Sequence, residues 1–389
     1  MDKKKTMKNR FKLLYFVQFF SVGIMGPYLA IFLAQKDFSG AQIGVLLGSL
    51  PIAGLVFQPV WSYISDVLHT RRYLLVLGSL GVAISTLGLG LAQTFTVAYL
   101  WALLFAVFRA PISPVGTAII LDYLEEEGTP GDFSLLRMWG SLGYAVSSLL
   151  WGSLFLDRIE SYFTWILVGI FLLLAGVSMF LPEKGESFSY SGLKGWQVIT
   201  KSPKFATFLL ASVFIGATFG VHNNYQTLYL QSLEAASWLI GLIVSMQAFL
   251  EIPMMMIAPY LLNRLSMRLL IVLGAVVMPI RWLSYAFIQQ PVWVLPTQLL
   301  NGVSVVSFFV VAVAYVDQLV EPQWRATGQG LYSSAMMGVG SGIGIYLAGF
   351  VLEWFEVQRI WILSFLMGVI GLGLLLYSFR KSGPKTVGE

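Results

Sequence analysis

The sequence predicts an all-α integral membrane protein: twelve transmembrane helices, six on each side of a two-fold internal repeat. Three observations carry this. First, 57% of the 389 residues are hydrophobic and only 11% charged, with a mean hydropathy of +0.77. A soluble chain carries about 25% charged residues, so polar surface here is too scarce to cover a globule in water. Second, the apolar residues gather in twelve segments, each matching the ~20 residues that a helix needs to cross a bilayer. Third, the chain repeats itself about one long hydrophilic stretch, Pro182–Pro203.

The segments lie near 11–34, 41–64, 73–92, 96–121, 134–156, 162–181, 204–230, 237–262, 269–288, 292–317, 327–352 and 358–379. Hydrocarbon offers the backbone no hydrogen-bond partner, so long unbroken apolar runs must be helices. The first is too long for a signal-peptide core and lacks a clear small-residue cleavage site, so it is expected to be retained. The second opens with Ile43-Gly44 and ends at Asp66. The third, sixth and twelfth hold no charge inside them and are expected to face lipid. The fourth carries Arg109, Ser113 and Thr117 on one face, is interrupted by Pro111 and Pro114, and ends at Asp122. The fifth carries Arg137, Ser141, Tyr144 and Ser148 at i, i+4, i+7 and i+11, a polar stripe where a lipid face would be apolar. Its small residues Gly140, Gly143 and Ser147 suit close helix packing. The seventh holds the run His222, Asn223, Asn224, Tyr225, Gln226. The eighth, MQAFLEIPMMMIAP over 246–259, sets Glu251 amid apolar residues; the ninth carries Arg281; the tenth ends at Asp317.

Alternate loops differ in charge. One side holds 19 of the 24 lysines and arginines, among them those of the N-terminus, Arg71, Arg72, Arg137, Arg264, Arg268, Arg325 and those of the 182–203 stretch. The positive-inside rule places that side, with both termini, in the cytosol. This accounts for a pI of 9.2 without nucleic acid as a partner. The chain has no cysteine, so no disulfide, thiolate metal site or cysteine nucleophile. No phosphate-binding loop, metal-ligand spacing or nucleophile elbow occurs. No enzyme activity, cofactor or metal is expected, and an ion gradient is the available energy source.

Arg72–Gly78 reads RYLLVLG and Arg268–Gly274 reads RLLIVLG. Each follows a segment opened by Ile-Gly (Ile43-Gly44, Ile240-Gly241), and the fourth and tenth segments both end at aspartate. Such internal symmetry marks transporters with a solute site near the midplane between the repeats. The expected organisation is a bundle over 1–181, a cytosolic linker over 182–203 and a bundle over 204–389.

Three stretches carry a family resemblance. FQPVWSYISDVLHTRRYLL at 57–75 resembles the loop 2–3 signature of the major facilitator superfamily. FSLLRMWGSLGYA at 133–145 and EIPMMMIAPYLLNRL at 251–265, followed by Ile280-Arg281-Trp282, resemble helices 5, 8 and 9 of its branch containing lactose permease, phenylpropionate permease and nucleoside–proton symporters. The resemblance implies the major facilitator fold, with two pseudo-symmetric six-helix bundles around a central cavity, alternating access and proton-coupled uptake of a small solute. It also implies a cytosolic gate at Asp66, Arg71 and Arg72, and solute contacts from Arg137 and Tyr144. The family's helix 4 supplies Arg137 with a carboxylate after Pro-x-x; here Pro114-Val115-Gly116-Thr117 ends in threonine, which argues against lactose itself.

Spacing estimates depth. At ~1.5 Å rise per residue, Glu251 lies about 16 Å and Arg281 about 18 Å from the expected cytosolic ends of their helices. The two are level. An ionisable group at a helix centre costs roughly 2.5–3.5 kcal/mol to insert, so the pair is either structural or the proton-coupling site. Burial raises a carboxyl pKa and a nearby cation lowers it; a group balanced between them can exchange a proton as its surroundings change. Gln247 is one turn from Glu251. The candidate solute-contacting set is Arg109, Thr117, Asp122, Arg137, Ser141, Tyr144, His222, Asn223, Tyr225 and Gln247. Arg109 has an alternative role, pairing with Asp122. The expected function is proton symport of a sugar, nucleoside or aromatic acid by a monomer in the cell membrane. An efflux antiporter and a transporter-like sensor are the alternatives.

Overall fold

Helix formation follows the hydropathy. The computed structural model describes residues 2–68, 70–129, 132–182, 202–321 and 324–380, and among these there is no strand. The helices are α1 Asp2–Gln35, α2 Gly40–Leu68, α3 Arg71–Leu91, α4 Phe95–Glu126, α5 Phe133–Leu150, α6 Ile159–Met179, α7 Pro203–Ser232, α8 Ser237–Arg264, α9 Met267–Phe287, α10 Pro291–Leu319, α11 Thr327–Trp354 and α12 Arg359–Arg380. The twelve expected spans form eleven stretches of membrane-crossing length among the described residues. α5 and α6 run on through a π turn at Trp151–Phe155 and a 3-10 turn at Leu156–Arg158. Of the expected linker, residues 183–201 lie outside the described residues.

Local chemistry sets several boundaries. Asp37 closes the α1–α2 turn at φ 61°, a left-handed conformation that aspartate tolerates better than most residues. Ser39 and Gln42 then form a reciprocal cap: the Ser39 amide donates to Gln42 Oε1 at 3.0 Å and the Gln42 amide to Ser39 Oγ at 3.4 Å. α4 breaks between Arg109 and Ile112. Pro111 has no N–H to continue the ladder, while Pro114 falls in the new first turn, where none is needed. Ser266 caps α9 by accepting from the Leu269 amide at 3.3 Å.

The chain divides into two compact units, Met1–Tyr190 with Asn224–Ala248, and Ser191–Asn223 with Phe249–Glu389. Contact therefore groups the chain differently from its order: α7 and α8 each contribute to both units. The reason is visible inside the first. Thr227 Oγ1 donates to the Pro27 carbonyl, Ser237 Oγ to Asp157, and Gly152 lies so close to Gly241 that a Cβ on it would stand 2.3 Å from the Gly241 Cα. Within the second unit α9 packs on α10 at Gly274, where an added Cβ would stand 2.3 Å from Ser307; in the first, α3 packs on α4 at Gly78, where it would stand 2.9 Å from the Phe108 carbonyl. These two glycines end the repeated RYLLVLG and RLLIVLG stretches, so the sequence repeat is also a packing repeat. Large apolar side chains such as Ile84, Leu154, Trp165, Met256 and Phe287 are exposed, as suits lipid rather than water.

Candidate functional site

The second unit holds a polar cluster in an otherwise apolar core. Arg281, on α9, is 1% exposed. A buried guanidinium is tolerable only when its donors are satisfied. Nη1 donates to Asn301 Oδ1 at 2.6 Å. Nη2 donates to Gln298 Oε1 at 2.9 Å and to the Tyr285 hydroxyl at 3.2 Å, and lies 3.2 Å from His222 Nε2. Arginine has no acceptor, so His222 Nε2 must accept, which puts that ring's proton on Nδ1. Gln298 Nε2 in turn donates to the Tyr285 hydroxyl at 3.1 Å. The guanidinium carbon lies 4.8 Å from the Trp282 ring centroid and 5.5 Å from that of Tyr285. Trp282 stacks on Trp361 at 5.5 Å.

Glu251 and Arg281 share this network without touching. Every hydrogen bond of Arg281 goes to a neutral group. Asn301 lies between them: its Oδ1 accepts from Arg281, and its Nδ2 donates to Glu251 Oε1 at 3.4 Å. Glu251 is half-buried, whereas Asn301 and Gln298 are fully buried. The level pair expected from spacing is thus a relayed one. Protonation of Glu251 would change the net charge of the network by one without removing any hydrogen-bond partner of the two Arg281 Nη atoms; the buried Nε has none among the described residues.

The sequence reasoning missed Gln298, Asn301 and Tyr285. A signal existed. Gln298, Asn301, Ser304 and Ser307 recur every three residues along α10 and all are buried, and Tyr285 is one turn from Arg281.

In the first unit, Arg137 lies over Phe19 and Tyr15, 4.0 and 5.7 Å from the ring centroids. The Tyr15 hydroxyl hydrogen-bonds Thr117 Oγ1 at 3.3 Å. Arg137 and Thr117 are therefore gathered around Tyr15, with Ser141 and Tyr144 half-buried along the same face of α5. Arg109 is exposed, its guanidinium 5.8 Å from the Phe105 ring. It does not pair with Asp122; that carboxylate pairs with Arg71, which is buried at the start of α3. Arg72 stacks on Tyr73 and donates to its hydroxyl at 3.1 Å. The side chain of Asp66 lies outside the described residues. His222 joins the Arg281 cluster. Asn223 is exposed, Tyr225 buried and Gln247 half-buried.

A separate cavity of about 660 Å³ opens in the first unit, lined by Gln35, Lys36, Asp37, Gln42 and Glu160 among others. It contains none of the candidate residues. Lys36 donates to the Gly90 carbonyl across its floor. Burial lowers the Lys36 pKa and the charge of Glu160 opposes this. Among the described residues no group of three or more His, Cys, Asp or Glu side chains could hold a metal ion.

Comparison with known proteins agrees with this architecture. The MFS_1 like family model matches residues 9–363. The uncharacterized transporter YwbF of Bacillus subtilis (strain 168) is 26% identical over 374 residues, covering 95% of this chain and 93% of that protein. Maltose permease of Geobacillus stearothermophilus is 27% identical over 389 residues, covering 98% and 96%. The crystal structure of the nucleoside transporter NupG matches with a TM-score of 0.88 at 20% identity, over 96% of this chain and 99% of that one. With all twelve spans accounted for, the chain belongs to the MFS_1 like family, within the major facilitator superfamily, and is a multi-pass helical membrane protein.

Proposed function

We propose that this protein is a secondary active transporter that carries a small organic solute into the cell together with protons, by alternating access. The observation that carries the reading is the hydrogen-bonded line from the half-buried Glu251 through Asn301 to the buried Arg281. Ionisable groups inside a membrane span mark ion pathways. Glu251 is the acid of this line and its proposed proton carrier, with Arg281 as the charge behind it. A sugar, a nucleoside and an aromatic acid are the solute classes; the names maltose permease and nucleoside transporter among the similar proteins support the first two.

Solute contacts are assigned to Arg109, Thr117, Arg137, Ser141, Tyr144, His222, Asn223, Tyr225 and Gln247. Aromatic faces and a guanidinium suit a hydroxylated ring. Asp66, Arg71 and Arg72 form the proposed cytosolic gate, and Asp122, which pairs with Arg71, is read as supporting that loop rather than touching the solute. The charge bias of the loops puts both termini in the cytosol and the protein in the cell membrane, where the lipid bilayer is its only obligatory surroundings. A monomer suffices, and nucleic acid is no partner.

The test is Glu251→Gln in reconstituted vesicles. Glutamine keeps size and hydrogen bonding but has no titratable proton at neutral pH. Accumulation driven by an imposed pH gradient is expected to vanish, while exchange of solute down its own gradient persists. Concentrative uptake by Glu251→Gln would refute the assignment. Joint loss of exchange and accumulation in folded protein would make Glu251 a solute ligand instead.

A further inference from the structure

We propose that Asn301 is the positioning residue of proton coupling: it holds one amide edge on Arg281 and presents the other to Glu251, so that the protonation state of the carboxyl is passed to the buried cation. This rests on the proposed role of Glu251 and goes beyond it.

The argument begins with side-chain chemistry. An amide is the neutral side chain that carries an acceptor and a donor at opposite ends of one rigid plane. Arg281 only donates, so it fixes which end of Asn301 faces it: Oδ1 accepts at 2.6 Å, and Nδ2 is then obliged to point the other way. In that direction lies Glu251, at 3.4 Å. Asn301 is completely buried, so water offers its N–H groups no alternative. A donor so oriented favours the ionised carboxylate over the neutral acid. When Glu251 takes a proton, the bond loses its charge assistance and weakens by roughly half. The hold of Asn301 on Arg281 changes with it.

Arg281 reaches further. Through Nη2 it bonds His222 on α7. His222 and Glu251 stand within three residues of the points where α7 and α8 pass from one unit to the other, Asn223 to Asn224 and Ala248 to Phe249. A proton arriving on α8 thereby alters a network that is also anchored on α7.

Gln298 supplies the internal control. It accepts from the same guanidinium at 2.9 Å, from the same helix, and turns its Nε2 to Tyr285 rather than Glu251. Besides Glu251 on α8, the charged and titratable groups bonded into this network include Arg281 and Tyr285 from α9 and His222 from α7; α10 contributes the amides of Asn301 and Gln298.

The experiment needs no solute. Full-length protein in lipid is titrated with pH under infrared difference spectroscopy, and the protonated-carboxyl band of Glu251 is identified as the one lost in Glu251→Gln. In Asn301→Leu, and in Asn301→Ala as a smaller second variant, the carboxylate loses its donor and its link to the cation. The neutral acid is then favoured, and the band's midpoint is expected to move to higher pH by about one unit, tenfold in proton affinity. Gln298→Leu is expected to leave the midpoint in place. Equal midpoints in the Asn301 and Gln298 variants, shifted or not, overturn the proposal while leaving Glu251 as proton carrier. Absence of any Glu251-dependent band that titrates overturns the role of Glu251 itself.

Discussion

Replacing Asp122 by asparagine separates a structural from a ligand role. The Arg71 side chain is 3% exposed and that of Asp122 25%. Removing one partner of a buried ion pair costs roughly 3–5 kcal/mol, chiefly because the other charge stays buried. Two features reduce this. Asp122 is partly accessible at the end of α4, and asparagine keeps a carbonyl acceptor for the guanidinium. About 2 kcal/mol is the expected loss. The double variant Arg71→Leu/Asp122→Leu buries neither charge, and removing both partners together is nearly neutral. It should be more stable than Asp122→Leu alone by about 1–2 kcal/mol. The assay is thermal unfolding of the purified protein and its variants in one lipid or detergent condition, with solute binding measured on the same samples. Asp122→Asn should lower thermal stability and leave affinity within about twofold, less than the loss of one good hydrogen bond. Weakened binding with unchanged stability would refute the reasoning and return Asp122 to the solute site.

Two further outcomes are expected. Arg137→Ala and Tyr144→Ala should each weaken solute binding at least about tenfold, the worth of one hydrogen bond to a charged group. Ser147→Ala should not, because that hydroxyl is buried and spent on the Tyr144 carbonyl; equal loss in isothermal titration at all three positions would make the α5 stripe structural. Gly152→Val forces a side chain into the Gly241 backbone. In a chain without cysteines, the pair Asp157→Cys/Ser237→Cys should form a disulfide readily, and adding Gly152→Val should depress its yield severalfold; an unchanged yield would show that the Trp151–Phe155 turn and α8 do not meet there.

Much of this protein was legible before any coordinates. Hydropathy is a property of each segment taken alone, because the bilayer acts on one helix at a time; the spans follow from it, and the break at Pro111 follows from the N–H that proline lacks. The repeat at Gly78 and Gly274 was legible as well, since like sequence packs alike. Glu251 and Arg281 stood out because a charge is conspicuous in a hydrocarbon-compatible run, and their similar depth followed from the rise of a helix. What could not be read was partnership. Arg281 bonds residues 17, 20 and 59 positions away, and which of these it meets depends on the rotation of α7, α9 and α10 against one another. Asn301 and Gln298 drew no notice because an amide costs little to insert and leaves only a weak mark on hydropathy. Asp122 drew notice for the wrong partner: sequence places it near Arg109 on the same span, whereas packing brings α3 alongside and gives it Arg71. By itself, then, the sequence determined how many helices there are, which family they form and where the unusual charges lie. The tertiary structure alone decided which side chains satisfy those charges, since in a dry core that choice is made by the helix faces that happen to meet.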